Sequence, residues 1–159
     1  MNPELDLEIT RVIRAPRSAV WRAWTDPDQL SRWFIPAPMV SRVDSIDLRP
    51  GGGLVTSFGD AGASGDALQR HIDAVFLVVE DESHLVWTNA IDSAWRPQQP
   101  QPVALTTDIH LLDHPDGTDY RVVVRHGTRE DRDRHESLGF FEGWGAVTDQ
   151  LAALVEQDA

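Results

Sequence analysis

A long amphipathic pattern occupies residues 128–156, which read TREDRDRHESLGFFEGWGAVTDQLAALVE. The apolar side chains that recur there at helical spacing are Phe140, Trp144, Val147, Leu151 and Leu154. That spacing predicts a helix with one apolar stripe to bury, and Thr128 with Asp131 is typical of a capping box at its start. We therefore predict a single helix over residues 130–156, about 40 Å long.

Three glycines interrupt this pattern, at Gly139, Gly143 and Gly145. Each glycine in a helix interior costs roughly 0.5–1 kcal/mol relative to alanine, so three within one segment indicate a spatial reason. We expect close packing against the first strand or the short helices. The alternative is that the missing side chains leave room for a pocket.

Upstream of this helix the sequence predicts an antiparallel sheet. Residues 5–13 alternate apolar and polar side chains, which is typical of a half-buried strand. Two short helices follow, and Asp26 with Pro27 is a good start for the second. The remaining predicted strands are residues 39–48, 54–58, 68–80, 85–90, 103–112 and 118–126. This order favours an α+β fold, in which a curved sheet wraps around the C-terminal helix and leaves a cavity for a small ligand.

The composition bounds the class of protein. The 159 residues suit one domain, residues 1–159, and the formal net charge is −12 without a basic run, which argues against a nucleic-acid partner. The chain has neither Cys nor Lys, so it forms no disulfide, thiolate metal site or lysine Schiff base. Its longest apolar run, residues 74–79, is far shorter than the ~20 residues of a membrane span. The acidic N-terminus is unlike a secretory signal, and we expect a cytoplasmic protein.

Several segments together resemble a known family. They are RAP at 14–16 with VWRAW at 20–24, LSRWF at 30–34, DLRPGG at 47–52, LVWTNA at 85–90 and GFFEGWG at 139–145. The family is that of activators of the heat-shock-protein-90 ATPase, in its bacterial stand-alone form. It belongs to the START-like, or SRPBCC, superfamily of helix-grip proteins.

The resemblance implies a helix-grip fold with a deep pocket between the sheet and the terminal helix. It does not imply one activity, because the superfamily includes lipid carriers, hormone receptors, polyketide aromatase/cyclases and co-chaperone domains. Related proteins often have a histidine where Phe141 stands, and this departure weakens a catalytic interpretation of that position.

Eight residues are candidates to line the pocket and bind the ligand. They are Trp33, Phe58, Trp87, Trp95, Tyr120, His126, Phe141 and Trp144. Arg121 and Arg125 should face water, so period-2 alternation turns Tyr120 and His126 inward. There they would orient a ligand carbonyl or hydroxyl, or else be core residues satisfied by backbone groups. Whether Phe140 or Phe141 faces the pocket stays open.

The sequence predicts neither a metal nor a cofactor. His135-Glu136 begins like the helical metalloprotease motif, but Gly139 stands where the second histidine is needed. His110 and Asp108 share one strand face, and we expect both to be solvent-exposed. The glycine run at residues 51–53 leads into a strand, so it is a tight turn and not a phosphate loop.

These observations favour a non-catalytic protein that binds a small apolar or aromatic molecule. One alternative is a polyketide cyclase- or hydratase-like enzyme in which His126 shuttles a proton. Another is a co-chaperone-like interaction module with a chaperone partner, which ranks third because an additional N-terminal domain carries much of that function in eukaryotic relatives. A homodimer could form through a sheet edge or the proline-rich connector.

Overall fold

The computed structural model describes residues 1–157. Its strands are β1 (Asp6–Ile13), β2 (Val40–Ile46), β3 (Gly53–Gly59), β4 (Gln69–Glu80), β5 (His84–Thr88), β6 (Thr106–His114) and β7 (Gly117–Arg125). Its helices are α1 (Arg17–Thr25), α2 (Pro27–Leu30), α3 (Arg129–Ser137) and α4 (Phe140–Glu156), with a 3-10 turn at Gly65–Ala67. The order of elements confirms the α+β helix-grip fold, with two short helices after the first strand.

The seven strands form one antiparallel sheet in the order β1-β7-β6-β5-β4-β3-β2. Consecutive strands from β2 to β7 are neighbours, and β1 closes the order by pairing with β7. The register shifts at Val43/Ser45, Thr56/Ser57 and Phe76/Val78 all fall within the β2–β5 part of the sheet. Because bulges bend a strand and increase its twist, they promote curvature in that part.

The prediction of a single terminal helix is wrong, because the helix is interrupted between α3 and α4. Gly139 adopts a left-handed conformation with φ +96°, which a residue without a Cβ adopts at little cost. The N–H of Leu138 donates to the Arg134 carbonyl at 3.0 Å, and the N–H of Gly139 donates to the Glu136 carbonyl at 3.1 Å. These bonds close α3 as glycine commonly does at a helix end, and α4 starts in a new direction.

The expected close packing around Gly143 and Gly145 is also wrong. An added Cβ at either position would meet no atom within 4 Å, apart from the helix's own backbone and the adjoining residues. Neither glycine is therefore required by a close backbone approach. Of the three glycines, Gly139 alone has a left-handed conformation that explains it.

A packed core lies under β1, β6 and β7. Trp24, Trp33 and Tyr120 are each at most 2% exposed there. The indole N–H of Trp24 donates to the Tyr120 hydroxyl at 3.0 Å, and that of Trp33 donates to the Ala23 carbonyl at 2.9 Å. The two indoles meet edge to face with ring centroids 4.8 Å apart. Large side chains fill this end of the molecule, and their indole donors are satisfied.

The predicted caps are confirmed. The Asp26 carboxylate accepts from the N–H groups of Asp28 at 2.9 Å and Gln29 at 3.1 Å. The Thr128 hydroxyl accepts from the N–H of Asp131 at 3.1 Å. Within residues 1–157, no helix is both long and apolar enough to cross a membrane.

Candidate functional site

A cavity of about 620 Å³ lies between the β3–β5 part of the sheet and helices α3 and α4. Its volume falls within the roughly 300–1,000 Å³ of typical small-molecule sites. The exposed members of its wall, which include Arg70, Pro102 and Leu138, mark the opening. Gly143 borders the cavity from α4, and the open space around it shows that its missing side chain leaves room there.

Aromatic side chains form much of the wall. The His71 ring lies between the rings of Phe34 and Phe58, with centroid distances of 5.2 Å and 5.6 Å. On the helical side, the rings of Phe140 and Trp144 lie 5.9 Å apart. Such a wall provides apolar and π surface for a flat or aromatic ligand.

Trp87 contributes a hydrogen-bond donor without a partner. Its side chain is 1% exposed and borders the cavity, and its indole N–H finds no acceptor within the described residues. A buried donor left unsatisfied costs about 1–3 kcal/mol, which a ligand acceptor that reaches this atom would recover. Asn89, also in the wall, differs because it donates to the Val103 carbonyl and accepts from the Leu105 N–H.

His71 adds a neutral imidazole to the wall. Its Nδ1 lies 3.3 Å from the Thr56 hydroxyl. Burial lowers the pKa of His71 to about 4, so the ring is uncharged near pH 7. An uncharged imidazole can exchange hydrogen bonds with a polar group on a ligand without placing a charge in the cavity.

His135 in the helical wall and His126 outside it form a hydrogen-bonded pair. His126 Nδ1 lies 2.9 Å from the Leu5 carbonyl oxygen, and His126 Nε2 lies 2.8 Å from His135 Nδ1. Because a carbonyl only accepts, His126 carries its proton on Nδ1. When His126 is neutral, its Nε2 accepts from His135 Nδ1.

The hydrogen bonds from the Leu5 carbonyl through His126 to His135 fix the tautomer of His135. Burial, together with the nearby charge of His126, lowers the pKa of His135 to about 4, so this ring too is neutral near pH 7. When His126 is neutral, His135 carries its proton on Nδ1, and the Nε2 of His135 is then an acceptor. His135 lies in the cavity wall, and this nitrogen is left to accept from a ligand hydroxyl.

Three of the eight predicted residues line the cavity, namely Phe58, Trp87 and Trp144. Trp33 and Tyr120 do not, because they fill the packed core. Burial raises the pKa of the Tyr120 hydroxyl, although the hydrogen bond from Trp24 opposes this. Tyr120 thus faces inward as predicted, but toward Trp24 instead of a ligand.

The other three predicted residues also lie outside the cavity wall. Trp95 is 67% exposed, and its indole N–H donates to the Gly51 carbonyl at 2.7 Å over a separate surface depression. Phe141 is 46% exposed, whereas Phe140 is buried in the wall, because Phe140 shares the helical face of Trp144 and Val147. His126 is buried and bonded to His135.

Sequence reasoning missed His71, His135 and Phe34 as parts of this site, and the open choice between Phe140 and Phe141 is decided for Phe140. His71 is the extra residue of a bulge, since Thr56 pairs with Ile72 and Ser57 pairs with Arg70. Simple alternation cannot predict which way a bulged residue faces. For His135, the available signal was its position one turn before the glycine that ends α3.

Comparison with known proteins gives one family and many similar folds. The family model described as "Activator of Hsp90 ATPase homolog 1-like protein" matches residues 14–156. No curated protein matches the chain.

Among solved structures, a protein from Nitrosomonas europaea is 36% identical, with a TM-score of 0.87 over 99% of this chain and 98% of that one. A protein from Chromobacterium violaceum is 29% identical, with a TM-score of 0.72 over 96% and 98% of the two chains. An AHSA1-like protein from Aeromonas hydrophila shares the fold at 22% identity, with a TM-score of 0.67 over 97% and 94%.

Proposed function

The chain belongs to the Activator of Hsp90 ATPase homolog 1-like family, and from this membership and the cavity we propose that it binds a small, largely apolar ligand. One observation carries the proposal: the cavity has a wall rich in apolar and aromatic side chains, in which the buried N–H of Trp87 lacks an acceptor among the described residues. Few convergent polar groups within an apolar pocket are typical of small-molecule sites. The family is consistent with such binding.

The polar groups of the wall define the ligand further. Trp87 supplies a donor, which calls for a carbonyl or ether oxygen on the ligand. His135 Nε2 supplies an acceptor when His126 is neutral, which calls for a ligand hydroxyl. The aromatic rings of the wall supply the apolar area. A planar molecule with both a carbonyl and a hydroxyl, such as a hydroxyflavone or an aromatic polyketide, satisfies all three requirements.

We place binding ahead of catalysis because of the groups that face the ligand. Among the described residues, the cavity wall contains no carboxylate. Its two histidines have pKa values of about 4, which makes them weak bases near pH 7. The arrangement therefore orients a ligand more readily than it removes a proton from one.

A second candidate function, a cyclase- or hydratase-like enzyme, is favoured by the bonded pair of His126 and His135. A proton accepted at His135 Nε2 can be accompanied by transfer of the Nδ1 proton to His126 Nε2. The Leu5 carbonyl would then stabilise the resulting imidazolium. Turnover that depends on pH and is lost in His126→Gln, while ligand affinity is retained, would favour this enzyme over the binding protein.

The test of the proposed function is a titration of the protein with fatty acids, sterols, flavonoids and aromatic polyketide-like compounds. Binding is monitored through the change in tryptophan fluorescence. We expect one class to bind saturably with one molecule per chain. Trp87→Phe keeps an aromatic side chain but removes the N–H together with part of the indole, and it should weaken binding of that class about tenfold. Trp95→Phe is the matched control and should change nothing, because Trp95 lies outside the cavity.

Two outcomes would contradict the proposal. One is that no class binds saturably to the wild-type protein. The other is that Trp87→Phe and Trp95→Phe weaken binding equally, which would place the ligand elsewhere. The chaperone partner, the homodimer and the cytoplasmic location stay predictions, and stimulation of a chaperone ATPase would test the first of them.

A further inference from the structure

Three metal-ligating side chains converge on the face of the sheet that points away from the helices. Asp108 and His110 alternate along β6 with the core residues Ile109 and Leu111, so they point to the opposite face. His84 on β5 lies directly opposite His110 in the antiparallel register. The expectation that both Asp108 and His110 are solvent-exposed is wrong for Asp108, which is 7% exposed because the neighbouring side chains cover it.

The two imidazoles share one carboxylate oxygen. His84 Nε2 lies 2.6 Å from Asp108 Oδ1, and His110 Nε2 lies 3.0 Å from the same atom. The two rings are stacked, with centroids 4.2 Å apart and planes at 17°. The three ligand atoms all lie within 4.8 Å of one another. Three potential metal ligands from adjacent strands are thus clustered on one face of the sheet.

The carboxylate in this cluster is held in its ionised form. Burial raises the pKa of Asp108, but the hydrogen bonds from Arg125 and His84 and the nearby charges of His110 and Arg125 outweigh it, so the pKa is lowered. Arg125 bonds to Oδ2, while the histidines meet Oδ1. One oxygen is therefore oriented by a guanidinium and the other is directed at the two imidazoles.

We propose that His84, Asp108 and His110 form a binding site for a zinc-class divalent transition-metal ion. Zinc bonds to histidine nitrogen and carboxylate oxygen are about 2.0–2.2 Å long, and tetrahedral geometry then separates two ligand atoms by roughly 3.3 Å. The separations of 2.6 Å and 3.0 Å in the cluster differ from that value by less than about 1 Å, which side-chain rotation can supply. Two imidazoles favour zinc, copper or nickel over magnesium and calcium.

Neighbouring groups suit the metal-bound form. An ion at the two Nε2 atoms displaces the protons that these atoms direct at Asp108, and each metal-bound imidazole then carries its one proton on Nδ1. Glu80 Oε2 lies 3.9 Å from His84 Nδ1. After a small rotation of the Glu80 side chain, this oxygen would accept a hydrogen bond from the His84 Nδ1–H. Carboxylates commonly orient zinc-bound histidines in this way. Three protein ligands leave one tetrahedral position open, on a face remote from the cavity.

The test is calorimetric titration of the purified full chain with Zn²⁺, with Co²⁺ visible absorption as a report on coordination. We expect one ion per chain. His84→Gln and His110→Gln should each weaken binding by about 100-fold or more, because loss of a ligand exceeds the 10–100-fold effect of losing an outer partner. His114→Gln, at the exposed end of the same strand, is the matched control and should bind as wild type does.

Absence of saturable Zn²⁺ binding would overturn the proposal, and so would binding that survives both substitutions. His135→Gln separates this site from the buried pair of His126 and His135, and we expect unchanged affinity. Should a variant fail to fold, the imidazole NMR signals of the wild-type protein show instead which histidines bind the ion. Zn²⁺ must then shift the signals of His84 and His110, and a shift confined to other histidines would overturn the proposal.

Discussion

The two ends of the sheet meet the helices in different ways. Under β1, β6 and β7, Trp24, Trp33 and Tyr120 fill the space completely, and their indole N–H groups have acceptors. Under β3 to β5, Trp87 and Trp144 border a cavity of about 620 Å³, and the Trp87 N–H has no acceptor within the described residues. The same residue type thus builds stability at one end and an open site at the other.

The physical origin of the difference is local. The register shifts lie in the strands of the cavity end, where bulges bend the sheet. Gly139 separates α4 from α3. Gly143 places no side chain where α4 borders the cavity. The packed end instead receives α1, and its Trp24, together with Trp33 from the segment after α2, fills the gap.

The largest expected contrast is in the cost of removing a tryptophan. Trp24→Ala should lower the free energy of unfolding by about 3–5 kcal/mol, because it empties a filled site. Trp144→Ala should cost only about 1–2 kcal/mol, because Trp144 is half-buried and borders space that already exists. Chemical denaturation of both variants measures the contrast. Equal costs would mean that the two ends are packed alike.

The next contrast is in the pH dependence of stability. His71 and His135 at the cavity end have folded pKa values of about 4, against about 6.5 in an unfolded chain. Below pH ~6.5 the unfolded chain takes up protons that the folded chain does not, so stability falls as the pH drops toward 4. The slope approaches about 1.4 kcal/mol per pH unit for each histidine.

Two controls sharpen this pH contrast. The His71→Gln/His135→Gln double variant should show a flatter pH dependence between pH 6.5 and 4. At the packed end, the raised pKa of Tyr120 contributes stability that is lost as the pH rises above ~10, the ordinary tyrosine value. An acid profile unchanged in the double variant would show that these histidines are not buried as described.

A smaller effect is expected from Tyr120→Phe. Removing the hydroxyl leaves the Trp24 N–H buried without its acceptor, which should cost about 1–3 kcal/mol. Ligand affinity should not change, because Tyr120 lies outside the cavity wall. Weaker ligand binding at unchanged stability would instead restore the orienting role that its inward direction first indicated.

The smallest effect on stability is expected from the glycines of α4. Gly143→Ala and Gly145→Ala should each raise the free energy of unfolding by roughly 0.5–1 kcal/mol, since both positions have free space for a Cβ. Thermal denaturation measures both gains. A loss of stability at either position would mean that another group closely approaches the helix.

Much of the fold could be predicted from sequence because its signals are local. The alternation of β1, the cap at Asp26 and the stripe of α4 each depend on neighbours within a few residues. The cavity could not be assigned in the same way. Trp33 and Trp87 both read as apolar positions, and only the tertiary arrangement separates a filled site from a hollow one.

The errors at the site have particular causes. Phe141 was included because of the family resemblance at that position, although the helical spacing with Trp144 and Val147 already placed Phe140 on the apolar stripe. His71 was missed because a bulge interrupts the alternation of β4. Trp95 was included by residue type alone, although its loop turns it toward Gly51 and solvent.

The decisive measurement is a thermal-shift screen of wild type, Gly143→Leu and Gly145→Leu against fatty acids, sterols, flavonoids and aromatic polyketide-like compounds. A ligand at 100 times its dissociation constant adds about 2.7 kcal/mol, which raises Tm by roughly 5–10 °C at this chain length. We predict that shift in the wild type and in Gly145→Leu, and its loss in Gly143→Leu, where the new side chain takes up space at the cavity wall. A silent screen of the wild type, or an equal shift in Gly143→Leu, would contradict the account.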